Sequence, residues 1–262
     1  MSSLEYTDLR SMTRAELEEV MTQLGAPKYR AGQVFSQLHA HPVRDIADMT
    51  LLPSSLREEL SAHYLVSSPV IETRQVSAID GTEKYLYRMR DGEYIESVLM
   101  RYRYGNSVCI SSQAGCRMGC SFCASTIGGL TRNLLPGEML AQVYGIAEAT
   151  GERVSHVVVM GTGEPLDNYD NLLRFIRLIS DENGMNLSRR NITVSTCGLV
   201  PQMRRLAEED LPITLALSLH APNDEKRRSI MPVARRYDIA SLMDACRYYY
   251  EKTGRPSRSN TA

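Results

Sequence analysis

Between residues 106 and 251 the chain repeats one arrangement four times: a short apolar run of strand character, then a longer segment with helical spacing. The runs lie at 108–111, 155–160, 192–196 and 213–219, and the helical segments at 137–150, 169–179, 201–209 and 239–251. Strands separated by helices cannot close as hairpins, so they pair in parallel with the helices laid over the sheet. The expected fold class is α/β, with a parallel sheet that is open or curled into part of a barrel. In such sheets the loops after the C-terminal strand ends build the site.

The chain before this stretch has a different character. Thr13 and Glu16 form a capping box ahead of Leu17, Val20, Met21 and Leu24, and Gly25 stops the helix. Ala31, Val34, Phe35 and Leu38 mark a second helix. A third starts after Pro53, with Ser55 and Glu58 as its expected capping box. Across 70–100, alternating runs broken by Asp80-Gly81 and Asp91-Gly92 predict a three-stranded antiparallel meander. The expected units are a helical accessory domain at 1–68 as an RNA contact, the meander at 69–105 and a partial barrel at 106–262. The helical unit is too small for much core of its own, so it should pack on the rest of the chain.

Composition narrows the partners. The chain has 262 residues, 30 Lys or Arg against 31 Asp or Glu, and a formal net charge of −1. A generally basic nucleic-acid binder is excluded, but a local basic face is not. Residues 189–258 hold 13 Lys or Arg against eight acids, an excess that faces phosphates or merely solvates helix surfaces. Tyr248, Tyr249 and Tyr250 could stack on bases, although two of the three are expected to pack inward. No run approaches the ~18 apolar residues of a membrane span. The opening MSSLEYTDLR carries charge where an export signal needs an apolar core. The expectation is a cytoplasmic protein with no membrane partner.

Six cysteines without an export signal make a poor disulfide framework. Three of them, Cys116, Cys120 and Cys123, crowd into eight residues just after the first parallel strand. Three thiolates at this spacing can hold three corners of a [4Fe–4S] cube and leave one iron open to a small molecule. Structural zinc would need a fourth ligand such as Cys109, and three free thiols are the plainest alternative. Cys197 and Cys246 read as core thiols. Unusual residues also come after the other strands: Gly161-Thr162-Gly163-Glu164-Pro165, then Ser195-Thr196-Cys197-Gly198, then Ser218-Leu219-His220. The glycines allow close backbone approach to a ligand and Glu164 could grip an ammonium group, or the segment is an ordinary tight turn. It has no Walker lysine and no dinucleotide fingerprint.

Taken together, these residues resemble the radical S-adenosylmethionine enzymes. Ile110-Ser111-Ser112-Gln113, Ala124-Ser125-Thr126, Arg132-Asn133-Leu134, Met160 to Pro165, Ile192 to Thr196 and Leu217 to Asn223 narrow the likeness to the dual-specificity RNA adenine-C2 methyltransferases. Tyr29 to Val34 and Met49-Thr50 extend it into the N-terminal helices, so that it covers about residues 8–254. The resemblance implies an incomplete radical-SAM-type partial barrel, a [4Fe–4S] cluster on Cys116, Cys120 and Cys123, and S-adenosylmethionine held by Gly163, Glu164, Ser195, Ser218, Leu219 and His220. It further implies that the cluster's electron breaks the sulfonium bond to give a 5′-deoxyadenosyl radical, and that two S-adenosylmethionine molecules and a methyl-cysteine intermediate serve each methylation. Cys109 would help release the protein–RNA adduct, with Glu96 as proton acceptor. Ribosomal and transfer RNA are the implied substrates, and a flavodoxin or ferredoxin the implied reductant. Adenine-C8 methylating relatives, or a non-catalytic iron–sulfur or zinc RNA-binding module, are the alternatives.

The family pattern continues with further strands, a cofactor-contacting asparagine and the methyl-carrying cysteine, none of which comes after Gly254 here. The expectation is therefore a C-terminally truncated, inactive chain with four parallel strands, an exposed edge and no apolar strand in its tail. Codons for Pro256 to Thr261, read two bases later, can spell Val-Thr-Phe-Glu-Tyr, which suggests a frameshift near residue 255.

Overall fold

The computed structural model describes residues 7–260. The first six residues, on which the export argument partly rests, and Thr261 and Ala262 lie outside the described residues. The N-terminal part is helical. Strand β1 (Thr7–Asp8) leads to α1 (Arg14–Gln23), α2 (Tyr29–His39) and α3 (Ser54–His63), and β2 (Tyr64–Leu65) returns to pair in parallel with β1. The expected Thr13–Glu16 capping box forms: the Thr13 amide donates to Glu16 Oε2 at 2.7 Å and the Glu16 amide to Thr13 Oγ1 at 3.3 Å. The box expected at Ser55 and Glu58 does not form. Helix α3 starts two residues earlier than that box would place it, directly after Pro53, whose carbonyl takes the first helical bond from the Arg57 amide. Leu17, Val20, Met21, Ala31, Val34, Phe35 and Leu38 are buried, in one core continuous with that of the sheet. Polar ties seal the junction: His39 Nδ1 lies 3.1 Å from the Tyr144 hydroxyl, and the Gly137 amide donates to Ser11 Oγ at 2.8 Å.

The meander comes next as β3 (Val70–Val76), β4 (Glu83–Arg88) and β5 (Tyr94–Tyr102). Gly81 and Gly92 take the positive φ values that their turns require, +68° and +90°. Strand β5 then pairs antiparallel with β6 (Gly105–Ile110), the first strand of the parallel set. A short hairpin, β7 (Gln113–Gly115) and β8 (Leu130–Asn133), brackets the cysteine loop. The chain continues through α4 (Pro136–Thr150), β9 (Val154–Val159), α5 (Tyr169–Ile179), β10 (Ile192–Thr196), α6 (Val200–Ala207), β11 (Thr214–Ser218), α7 (Asp224–Ile230), α8 (Ile239–Thr253) and β12 (Arg258–Asn260). One eight-stranded sheet runs in the order β12-β11-β10-β9-β6-β5-β4-β3, parallel from β12 to β6 and antiparallel beyond. It is an open α/β sheet, a partial barrel.

The tail corrects the sequence expectation. Residues 258–260 form a fifth parallel strand on β11, with Ala216, Leu217 and Ser218 opposite Arg258, Ser259 and Asn260. Backbone pairing makes this strand, since the segment carries no apolar alternation; a sheet edge templates any extended neighbour.

Register separates the two faces. Val108, Ile110, Val157, Val159, Val194, Leu215 and Leu217 alternate onto one face and are buried. Helix α4 covers that face: Gln142 accepts from Ser97 Oγ at 2.7 Å, and its backbone carbonyl accepts from the Tyr87 hydroxyl at 3.3 Å. Glu96, Val98, Cys109, Val158, Ser195 and Ser218 alternate onto the other face.

Candidate active site

The cysteine loop emerges from the C-terminal end of β6, and its shape is set by neighbours. Gly115 sits at φ +75°, where an added Cβ would lie 2.0 Å from the Gly129 carbonyl oxygen. That closeness lets the Cys116 amide donate to Gly129 O at 2.8 Å. Farther along, the Ser121 amide donates to Ile230 O at 2.9 Å and so ties the loop to the end of α7. Cys116 and Cys120 are buried and Cys123 half-buried. Burial pushes the Cys120 thiol up to about 11, and the nearby Cys116 and Cys123 add to the shift. Burial raises the Cys116 thiol too. Cys120 also packs against Cys197 and Met231. Cys197 is buried as expected, yet it borders this loop, whereas Cys246 lies in the general core on α8. Among the described residues, no three His, Cys, Asp or Glu converge as ligands of one metal ion. Cys109 stands on β6, before the loop.

The Gly161–Glu164 turn after β9 is packed on the segment that precedes the cysteines. An added Cβ on Gly161 would meet Ser111 Oγ at 2.7 Å, and one on Gly163, at φ +105°, would meet Gln113 Cβ at 2.5 Å. The close approach made here is thus to protein. Glu164 is 4% exposed. Its Oε2 accepts from the Cys197 amide at 2.7 Å and its Oε1 from the Leu166 amide at 3.1 Å. Burial holds this carboxyl above its usual range. One oxygen therefore caps its own turn and the other joins the loop after β10, a role the sequence reading did not assign.

Gln113 is a second residue whose part was missed. Its Oε1 accepts from the Glu164 amide at 2.8 Å, and its Nε2 donates to Asn133 Oδ1 at 2.8 Å and Asp167 Oδ2 at 3.0 Å. Asp167 in turn takes a two-pronged contact from Arg117, at 2.8 and 2.6 Å. One buried amide so links the cysteine loop, its hairpin and the 161–168 turn. The signal available was a glutamine placed immediately beyond an apolar strand.

At the next two strand ends, Ser195 Oγ lies 3.3 Å from Ser218 Oγ. Leu219 packs on the core. His220 has φ +57°, unusual for a residue with a Cβ, and its ring meets that of Phe122 from the cysteine loop edge-on at 4.9 Å. Its Nδ1 is buried without a partner, and burial holds the imidazole below its usual range.

Glu96 and Cys109 occupy adjacent strands on the open face. Cys109 pairs with Val98, two residues from Glu96. The Glu96 carboxylate lies 2.5 Å from Lys84 Nζ and is about half exposed, at 47%. Burial pushes the Cys109 thiol up to about 11. The basic stretch 189–258 is not one phosphate-facing surface: Arg204, Arg205 and Lys252 are paired with Asp244, Asp170 and Glu208, and Arg227 is fully buried. Of the three tyrosines, Tyr249 is buried, Tyr248 packs partly on the core and Tyr250 is exposed.

Comparison with known proteins matches this architecture. The Radical SAM superfamily model covers residues 110–261, and the ribosomal RNA large subunit methyltransferase N-terminal domain model covers 7–66. A probable dual-specificity RNA methyltransferase RlmN from Lachnoclostridium phytofermentans is 56% identical over 254 residues, 97% of this chain and 71% of that protein. The one from Alkaliphilus oremlandii is 50% identical over 252 residues, 96% of this chain and 73% of that protein. A crystal structure of a radical SAM methyltransferase from Sphaerobacter thermophilus superposes with a TM-score of 0.90 at 45% identity, covering 97% of this chain and 76% of that one. The chain belongs to the radical SAM superfamily and, within it, to the family of dual-specificity RNA methyltransferases. It spans about 71% of the length of the first of these relatives. Among the described residues no helix is long and apolar enough to cross a membrane.

Proposed function

We propose that the chain carries the cluster- and cofactor-binding part of a radical SAM methyltransferase that methylates C2 of adenine in ribosomal and transfer RNA, and that these 262 residues, which hold no counterpart of the methyl-carrying cysteine, do not complete the methylation by themselves. The observation that carries this reading is the cysteine loop: three thiols, two of them buried, held over the C-terminal strand ends against Glu164 and Cys197. Three soft thiols on one loop suit a [4Fe–4S] cube with one open iron, whereas structural zinc takes four ligands. When bound, the cluster supplies the electron that breaks the sulfonium bond of S-adenosylmethionine.

The chain's own residues do the rest. Cys116, Cys120 and Cys123 would hold the cluster, and the open site beside them would take the amino and carboxylate groups of S-adenosylmethionine. Ser195, Ser218, Leu219 and His220 would line its remaining wall, with Gly163 acting through its packing on Gln113 and Glu164 through its bond to the Cys197 amide. The open face presents Glu96 and Cys109 to the adenine, Cys109 as the thiol that releases the adduct and Glu96 as proton acceptor. A small flavin or iron–sulfur protein, such as flavodoxin or ferredoxin, is the fitting reductant, and the cytoplasm the fitting compartment. Anaerobic reconstitution tests the reading. The wild type should bind about four irons and four sulfides, and Cys120→Ala should lose them; undiminished iron in that variant refutes the assignment.

A further inference from the structure

Arg227 on α7 is fully buried, at 0% exposure. Its Nη2 donates to the Cys197 carbonyl at 2.6 Å and its Nη1 to the Tyr237 carbonyl at 3.3 Å, while Nε has no partner. Among the described residues no carboxylate forms an ion pair with it, although the Asp224 carboxylate acts on it through space. A buried guanidinium held by two carbonyls is an expensive arrangement, because removing a charge from water costs several kcal/mol unless an anion compensates it. The ionisable groups that act on it are, in order, the Cys197 thiol, the Asp224 carboxylate and the Cys120 thiol. The segment that carries it also backs the cysteine loop, through the Ser121–Ile230 backbone bond and the packing of Met231 on Cys120.

We propose, resting on the functional reading above, that Arg227 is a positioning residue for the cluster: a permanent buried cation that offsets the negative charge gathered when Cys120 and its two partners bind iron as thiolates. The ligand set then adds the negative charge that no directly paired carboxylate supplies. A fixed positive charge beside the cluster also favours its more negative, reduced state, so Arg227 raises the reduction potential. A purely structural arginine, present only to join the Cys197 and Tyr237 carbonyls, would leave the potential where it is.

The experiment uses the whole chain, reconstituted anaerobically with iron and sulfide, and follows reduction by EPR at a series of fixed potentials. Arg227→Gln should shift the reduced-to-oxidised ratio about tenfold towards oxidised, equivalent to about 59 mV for one electron. Arg227→Lys, which keeps the charge and loses the planar fork, should stay near the wild type. Asp224→Asn, which keeps an acceptor for the Ile239 amide and removes the opposing charge, should shift the ratio the other way. An Arg227→Gln titration that overlays the wild type overturns the proposal, as does Arg227→Lys following Arg227→Gln. Should Arg227→Gln fail to fold, an unshifted Asp224→Asn overturns it instead. A wild-type chain that takes up no iron or sulfide overturns the functional reading, and this inference with it.

Discussion

The carboxylate of Glu164, after one strand, accepts the amide proton of Cys197, after the next, at 2.7 Å across 33 residues of sequence. The bond fixes Cys197 where it packs on Cys120, so a residue that looks like a ligand group serves first as a brace. Glu164→Ala would strand the Cys197 and Leu166 amides in a dry site. The expected cost is about 2 kcal/mol in urea unfolding of the metal-free chain, since bonds to a charged acceptor are worth about 1.5–3 kcal/mol. Iron retained after gel filtration should fall as well. Unchanged values for both would show that the brace does nothing.

Stability should depend on pH through His39, which lies in the seam between the helical unit and α4. Burial, with the nearby Arg10 cation second, drops its imidazole from 6.5 to about 3. The unfolded chain therefore takes up a proton below about 6.5 that the folded chain refuses until about 3. Stability is whole above that window and falls as pH drops through it, by about 1.4 kcal/mol per pH unit. Between pH 7 and 5 the loss from this group is about 2 kcal/mol. Denaturation of the wild type and His39→Gln at both pH values reads it: the variant should lack this component of the slope, and parallel slopes would exclude His39 as its source.

Much of this arrangement was legible in the sequence because it rests on local or periodic signals. The helix-period residues around Leu17 and Phe35 gave the N-terminal helices, the Asp-Gly pairs gave the meander turns, and the strand–helix alternation gave the parallel order. The open face also comes from alternation once register is known, which places Glu96 and Cys109 on the same face of neighbouring strands. The hidden remainder depends on contacts between distant segments. The β7–β8 hairpin rests on the Gly115–Gly129 approach, Gln113 acts through three different loops, and the buried state of Arg227 cannot be told from the solvated arginines beside it. Helix α7 did carry a readable sign: the Asn223 side chain accepts from the Lys226 amide as an N-cap. The strand at 258–260 carried none, because backbone pairing alone defines it.

Two glycines near the site should respond in opposite ways to alanine. Gly163 combines φ +105° with a would-be Cβ only 2.5 Å from Gln113 Cβ. Gly163→Ala must push against a buried residue and strain the backbone, at a combined cost of about 2–4 kcal/mol. Gly128, in the cysteine loop, has open space around its would-be Cβ and no positive φ. Gly128→Ala should be neutral or slightly stabilising, since it narrows the unfolded ensemble. Thermal melts of the two variants decide it, and a Gly163→Ala protein as stable as Gly128→Ala would mean that the turn is looser than described.

The last expectation concerns the reactivity of Cys109. Its side chain is only half-buried, so a reagent can reach it, yet burial of the sulfur holds the thiol at about 11, against 9.0 for an ordinary cysteine here. A two-unit rise leaves about one hundredth of the usual thiolate at neutral pH, and the thiolate is the nucleophile. Iodoacetamide at pH 7.5 should therefore modify Cys109 about a hundredfold more slowly than glutathione. The rate should climb roughly tenfold per pH unit until near pH 11. Peptide mass spectrometry after timed quenching measures it, with Cys109→Ser as the blank for that peptide. Fast labelling at pH 7.5 would show that Cys109 already sits as a thiolate, and that burial does not hold its proton.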